Sequence, residues 1–417
     1  MNDTLNPGYA GPDSLGRQPI DRWQAKPLAD SVLHLIWRRQ QISRAEIARE
    51  LSLSRSTVTE MVRELLQTGF VKEVGSGVSS GGRKPIVLQF QNGARVIIGI
   101  DIGATHVSAC VMNLKGEVLE FDTRVHAVRV DPKGTRSLVF ELCDTLLGRL
   151  RNGLKRLLGI GVALPSPVDP NHPEWLSEVV IPSWRGRSEI EILHSKYNVP
   201  IYVDNDANLG ALAEHRWGAG RGVDDLTYVK IGYGIGSGFI LNGNVYRGGS
   251  GIAGEMGHIP IKTDGEKCVC GLTGCLVTLV GGDALKKRVE QLLPIFPDSQ
   301  VADMDPTLAN LETAAIKKDE LAVKIFNESA EYMSIALTGW INMMNPSRVI
   351  LGGERKELHQ KILDPIQKKV RDCSIVGTVA TTEIRTGSLG EQAESVGAAT
   401  MALEEIFALP KFYDLQD

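Results

Sequence analysis

Long apolar runs are missing from this chain. No stretch approaches the roughly 18 consecutive apolar residues that a membrane helix requires, so a membrane partner is not expected. Residues Met1 to Gln18 hold no basic segment followed by an apolar run, so no secretory leader is expected. Cysteine is scarce, with six in 417 residues. Three of the six crowd together, while Cys110, Cys143 and Cys373 lie far apart. That distribution suits a reducing cytoplasm better than a disulfide framework. A strong excess of one charge is also lacking: the formal net charge is −4, with 42% hydrophobic and 23% charged residues. This composition excludes a disordered polyelectrolyte, and the length calls for two or three domains.

The small net charge hides an asymmetry. Through Phe90 there are 12 Lys+Arg against 9 Asp+Glu, whereas the remainder carries 34 against 41. A basic front on an acidic body points to nucleic acid at the front.

Residues 1–22, rich in Gly, Pro, Asn and Asp, read as a flexible arm. Order is expected from Trp23. Val32, Leu35 and Ile36 share one face of a first helix. Ser43-Arg-Ala-Glu46 is a capping box that opens a second helix. A third begins at Ser54, with Val58, Met61, Val62 and Leu65 inward, and Gly69 stops it. Two short helices, a tight turn and a polar start to the second describe a helix-turn-helix, whose recognition helix offers its first residues to base edges. Arg55 is assigned to guanine or phosphate, and Ser56 and Thr57 to base edges or phosphate. Two strands, from Phe70 and from Pro85, flank a Gly/Ser loop carrying Arg83 and Lys84, a β-wing that places cations on phosphate or in the minor groove. The bland alternative is a small helical bundle used for dimerisation.

Cys268, Cys270 and Cys275 form C-x-C-x4-C, with His258 ten positions upstream. Three thiolates and an imidazole select Zn²⁺ and complete a tetrahedron. With no coordination position left for water, one structural Zn²⁺ per chain is expected.

In the body, a buried strand from Arg95 ends in Asp101 and turns at Gly103 into another strand. Gly103 permits close backbone approach, Thr105 can donate to a phosphate and Asp101 can hold a hydrated Mg²⁺; a plain hairpin turn explains the pattern equally well. A strand is expected over Val118 to Arg129, and a broken amphipathic helix over Thr135 to Leu158. A second glycine turn, Gly232-Tyr-Gly-Ile-Gly-Ser-Gly238, supplies Gly234 and Gly236 as further phosphate-loop candidates. A short strand from Pro200 delivers Asn205 and Asp206 to the mouth of a helix, where open α/β sheets place ligands. Asp206 can take a proton from a sugar hydroxyl while Asn205 orients it; either residue can instead be a helix cap. Gly352-Gly353 would let an adenine lie against bare backbone.

These residues together resemble the ROK family of repressors, open reading frames of unknown role and sugar kinases. The likeness covers about residues 95 to 410, and the added head looks like the family's repressor branch. The resemblance implies an α/β body of two lobes with an actin-like, ribonuclease H-like ATPase fold: lobe 1 over 92–204 with the C-terminal helix of 391–417, lobe 2 with the zinc loop over 205–390, both behind a winged helix-turn-helix at 23–91. It also implies that Asn205, Asp206, Glu255 and His258 bind a sugar, that Asp206 stands where the kinases have their base, and that His258 both touches sugar and ligates zinc.

Three positions depart from the family pattern: Val277 replaces a sugar-binding Glu, Tyr233 a Thr, and Ser166 a Gly. Losing one charged acceptor costs about 1.5–3 kcal/mol of binding, and a phenol crowds a phosphate turn, which argues against enzymatic activity. The expectation is a cytoplasmic, sugar-controlled transcriptional regulator, in particular a repressor of carbohydrate genes, acting as a homodimer or homotetramer on near-palindromic operator DNA. The rivals are a sugar kinase with a DNA-binding head and a constitutive DNA binder with a disused cleft.

Overall fold

A computed structural model describes residues 27–76, 86–169, 172, 174–178, 180–185, 190–304, 308–353, 356–373 and 382–407. The expected arm and the wing residues Arg83 and Lys84 lie outside them.

The head comprises α1 (Pro27–Arg39), β1 (Gln41–Ser43), α2 (Arg44–Glu50), α3 (Arg55–Thr68), β2 (Val71–Ser76) and β3 (Ile86–Phe90). The capping box forms as written: Glu46 N donates to Ser43 Oγ at 3.3 Å and Ser43 N to Glu46 Oε2 at 2.8 Å. Gly69 ends α3 in the left-handed region at φ 78°, as its position in the sequence suggests. Val32, Ile36, Ile47, Val58, Val62 and Leu65 form the core, while Leu35 is half-buried. The sequence does not announce β1, which pairs antiparallel with β3 and gives the order β1-β3-β2. Three residues are too few for a periodicity to register.

The first body sheet is built from β4 (Val96–Ile102), β5 (His106–Asn113) and β6 (Val118–Val125), followed by α4 (Pro132–Gly148), α5 (Gly153–Arg156), β7 (Leu157–Leu164), α6 (Ile190–Tyr197) and β8 (Ile201–Asn205). The expected broken helix over Thr135 to Leu158 is α4 and the short α5 with a break after Gly148; only its last two residues, Leu157 and Leu158, belong instead to a wholly buried strand. Next come α7 (Asp206–Trp217), β9 (Leu226–Ile231), β10 (Ile235–Leu241), β11 (Asn244–Tyr246), α8 (Val277–Val280), α9 (Gly282–Leu292), α10 (Leu308–Ile316), α11 (Glu320–Met344), β12 (Arg348–Gly352), α12 (Lys356–Cys373), β13 (Glu383–Thr386) and α13 (Ala393–Ile406).

The strand orders are β6-β5-β4-β7-β8 and β11-β10-β9-β12-β13. Each sheet has an antiparallel triplet followed by two strands parallel to its first, so one topology occurs twice. This is the two-lobed ribonuclease H-like arrangement. Helix α13 lies on β4 and β7, while α7 lies on β9 and β10, and the two helices pack on each other between the sheets. Glycines make that closeness possible: a Cβ on Gly99 or on Gly161 would come within 1.8 Å of a carbonyl oxygen of α13.

Head and body share a core. Trp37 Nε1 donates to Leu114 O at 2.8 Å, and Phe407, just past α13, packs among Trp37, Phe70 and Phe90. Among the described residues no helix is long and apolar enough to cross a membrane.

Candidate functional site

A cleft of about 370 Å³ opens where β4, β7, β8 and the β9–β10 turn end. Its volume suits a small ligand. Asn205, Asp206, Glu255 and His258, the four expected sugar contacts, all line it, as do Tyr233 and Val277.

Asn205 turns out to be the α7 N-cap, its Oδ1 accepting from Ala207 N at 3.0 Å and Asn208 N at 3.2 Å. Its Nδ2 donates to Ser166 O at 3.2 Å, so the capping reading holds while the residue still faces the cleft. Asp204, which sequence reasoning passed over, fixes this corner. Its Oδ1 accepts from Asn205 N at 2.7 Å and from Asn208 Nδ2 at 3.1 Å, and Arg247 Nε donates to its Oδ2 at 2.7 Å.

Both oxygens of Asp206 are engaged: Oδ1 accepts from Ala207 N at 2.7 Å, and Oδ2 from Lys230 Nζ at 2.8 Å. Lys230 is buried on β9 and its Nζ lies 3.9 Å from Glu394 Oε1. Burial opposes its charge, but Asp206, Glu394 and Asp101 outweigh that and raise its pKa. The sequence does carry a signal, a lone lysine in the wholly buried strand Leu226–Ile231, but nothing local tells what it pairs with.

Burial beside Asp206 pushes the Glu255 carboxyl up to about 7. Glu255 Oε2 lies 3.9 Å from His258 Nε2. The other imidazole nitrogen, Nδ1, is 3.4 Å from Cys268 Sγ, and Cys270 Sγ is 3.6 Å from Cys275 Sγ. All four donor atoms lie within 4.8 Å of one another. A tetrahedron with Zn–S bonds of ~2.3 Å has edges of about 3.8 Å, so the residues fit a single Zn²⁺. His258 thus turns one nitrogen to the knuckle and the other to the cleft.

The two glycine turns are furnished differently from a plain phosphate loop. His106 lies within 2.9 Å of Asp101 Oδ2 and so close over Gly103 that a Cβ there would meet the imidazole at 2.4 Å. Thr105 sits half-buried in that turn. In the second turn, beside Gly234 and Gly236, the Tyr233 hydroxyl donates to Asp283 of α9 and accepts from Arg129 of the other lobe. The Arg129 guanidinium also stands 5.0 Å above the Tyr233 ring, so this chain of contacts spans the cleft. Gly353 closes β12 at φ 122° against Ile231 O, leaving bare backbone there.

In the head, Ser54 Oγ caps α3 through Thr57 N at 3.1 Å. Arg55 and Ser56 are exposed and Thr57 is half-buried, and among the described residues the Arg55 guanidinium has no partner. The start of the candidate recognition helix is therefore presented to solvent.

Fold and site define a class: a winged helix joined to a two-lobed sugar-kinase-like body with a cysteine-histidine knuckle beside its cleft. The ROK family profile matches residues 97–405 and the MarR family profile residues 31–73. The chain belongs to the ROK family, with a MarR-type winged helix at its front. It is 31% identical over 382 residues to a xylose repressor of Bacillus spizizenii, covering 91% of this chain and 96% of that one. It is 29% identical to the DNA-binding transcriptional dual regulator NagC of Escherichia coli, covering 85% of this chain and 86% of that one. A solved ROK family transcriptional regulator, homologous to the E. coli MLC protein, superposes with TM-score 0.74 at 25% identity, covering 91% of this chain and 95% of that one. A ROK glucokinase from Streptomyces griseus, in complex with glucose and AMPPNP, superposes at 0.66 with 28% identity, covering 74% of this chain and 99% of that one.

Proposed function

We infer that this protein is a sequence-specific DNA-binding transcriptional repressor controlled by a sugar held in the cleft. The observation that carries the reading is the union of two sites in one folded unit: an exposed Arg55-Ser56 helix start and a polar cleft, joined through the Phe407 cluster. Arg55, Ser56, Thr57, Arg83 and Lys84 are the groups that meet DNA, the first three in the major groove. Asn205, Asp206, Glu255 and His258 meet the sugar. His258, Cys268, Cys270 and Cys275 hold Zn²⁺, whose part is to fix the loop that presents Glu255 and His258 to the cleft. Two copies read a near-palindrome, and the sugar acts by binding more tightly to one spacing of the two heads than to the other. The likeness to a xylose repressor supports an effector among the aldoses and their simple derivatives, and the protein works in the cytoplasm.

The likeness to a glucokinase bound to glucose and AMPPNP keeps a sugar kinase with a DNA-binding head as the second reading. Tyr233 bridged to Arg129 and Asp283, and His106 folded onto Asp101, weigh against it. Genome-wide mapping of bound DNA tests the main reading. Discrete sites beside carbohydrate uptake or catabolism genes are expected, and an absence of discrete sites with ADP release on hexoses would favour the kinase.

A further inference from the structure

We propose that the Lys230 ammonium is a tethered cation that takes, among Asp101, Asp206 and Glu394, the place this fold offers to a nucleotide's divalent metal, so that the cleft binds an uncharged polyol without metal or nucleotide. The proposal rests on reading the cleft as the effector site. Lys230 is 8% exposed and enters from the floor of the cleft on β9. It donates to Asp206 Oδ2 at 2.8 Å and stands 3.9 Å from Glu394 Oε1, while Asp101 bears on it electrostatically. Asp206 of α7 and Glu394 of α13 meet at this one ammonium, while Asp101 of β4, held by His106 at 2.9 Å, adds its field from the third side. Left without a cation, such a group of buried acids would be strongly unfavourable. The lysine supplies that cation permanently.

Three consequences follow for ligand chemistry. With Oδ1 held by Ala207 N and Oδ2 by Lys230, Asp206 still has lone pairs on both oxygens with which to accept from a sugar hydroxyl. A hydrated Mg²⁺ brought to Asp101 would meet Lys230 as a like charge. And the region a metal-bound triphosphate would cross is already spanned by Arg129, Tyr233 and Asp283. The ligand class is thus a neutral sugar recognised through hydroxyls.

The test uses the full-length, zinc-loaded protein, its Lys230→Thr and Lys230→Met variants, and Lys230→Met combined with Asp206→Asn. Thermal unfolding is followed with and without millimolar Mg²⁺, and with Mg²⁺ plus AMPPNP. The wild type should melt at one temperature in all three conditions. Lys230→Thr should melt roughly 5 °C lower without Mg²⁺ and recover most of the loss with it. Lys230→Met fills the space, so it should melt low and stay low with Mg²⁺, and adding Asp206→Asn should restore much of the loss. If Lys230→Thr does not fold, the Met pair decides. Stabilisation of the wild type by Mg²⁺ with AMPPNP would overturn the assignment, and so would a Lys230→Met variant that melts with the wild type. Operator binding on the same wild-type sample is a separate readout. Its absence would count against the regulator reading and leave the assignment of Lys230 untouched.

Discussion

The indole of Trp37 and the ring of Phe407 stack with centroids 5.7 Å apart and planes 12° from parallel, joining the DNA-reading head to the last helix of the body. The other end of that helix carries Glu394 beside Lys230, 13 residues earlier, or about 20 Å along the axis. One continuous helix therefore reaches from the cleft floor to the head, a route along which the two sites can be coupled.

Phe407→Ala should leave a folded repressor that no longer hears its ligand. The half-buried ring contributes on the order of 1–3 kcal/mol of packing, too little to unfold the chain. Operator affinity without sugar should change little, while the sugar-induced drop in affinity should shrink several-fold. Fluorescence anisotropy on labelled operator, with and without ligand, reads both numbers. An unchanged ratio would place the coupling elsewhere.

Acid should favour the body through Glu394. Its burial outweighs the Lys230 ammonium and, with Asp101 and Asp206 adding to it, raises the carboxyl from 4.5 to about 7; Tyr228 on the same strand as Lys230 donates to it at 2.9 Å. Between those values the folded state holds more protons than the unfolded chain. The stability this group confers is therefore full below about pH 4.5 and declines as pH rises towards about 7. Glu394→Gln keeps an acceptor for Tyr228 and removes the titration, so the variant should gain on the wild type as pH rises from about 5 to about 8. Melting curves that stay parallel over that range would be inconsistent with the assignment.

Arg55→Ala should weaken operator binding by about 1–3 kcal/mol if the guanidinium reads a guanine, with specificity relaxed at that base pair. If it serves a phosphate, all sequences should lose affinity alike and the salt slope should fall by about one unit per head. Binding isotherms at several salt concentrations, on operator and on scrambled DNA, distinguish the two. A variant equal to the wild type on both would remove Arg55 from the interface.

Cys270→Ser replaces one of four expected Zn²⁺ ligands while barely changing volume. Elemental analysis should find about one zinc per chain in the wild type and far less in the variant, which should also melt lower because metal binding is coupled to loop folding. Wild-type protein without zinc, or a variant that retains it, would contradict the assigned ligands.

Much of this was legible in the sequence because the informative patterns are local. The Ser43-Glu46 box, the Gly69 stop, the strand ending in Asp101 and the cysteine spacing each act within a few residues. What stayed hidden depends on contacts between distant segments. Lys230 acquires its role only when α7 and α13 bring Asp206 and Glu394 to it, and Asp204 only when Arg247 folds back across 43 residues. Tyr233 was visible as an obstacle to phosphate, but its bridge to Arg129, 104 residues away, was not. Nothing local in the sequence ties His106 to Asp101; the turn at Gly103 brings the two together.

If the cleft is the effector site, its occupancy changes the grip of the head on DNA. The most direct measurement is operator affinity across a panel of neutral sugars that includes D-xylose and N-acetylglucosamine, for the wild type and for Glu255→Gln. At least one sugar should weaken wild-type binding by about fivefold or more, and Glu255→Gln should bind operator normally while losing that response. Operator affinity indifferent to every sugar, or a Glu255→Gln response equal to the wild type's, would contradict it.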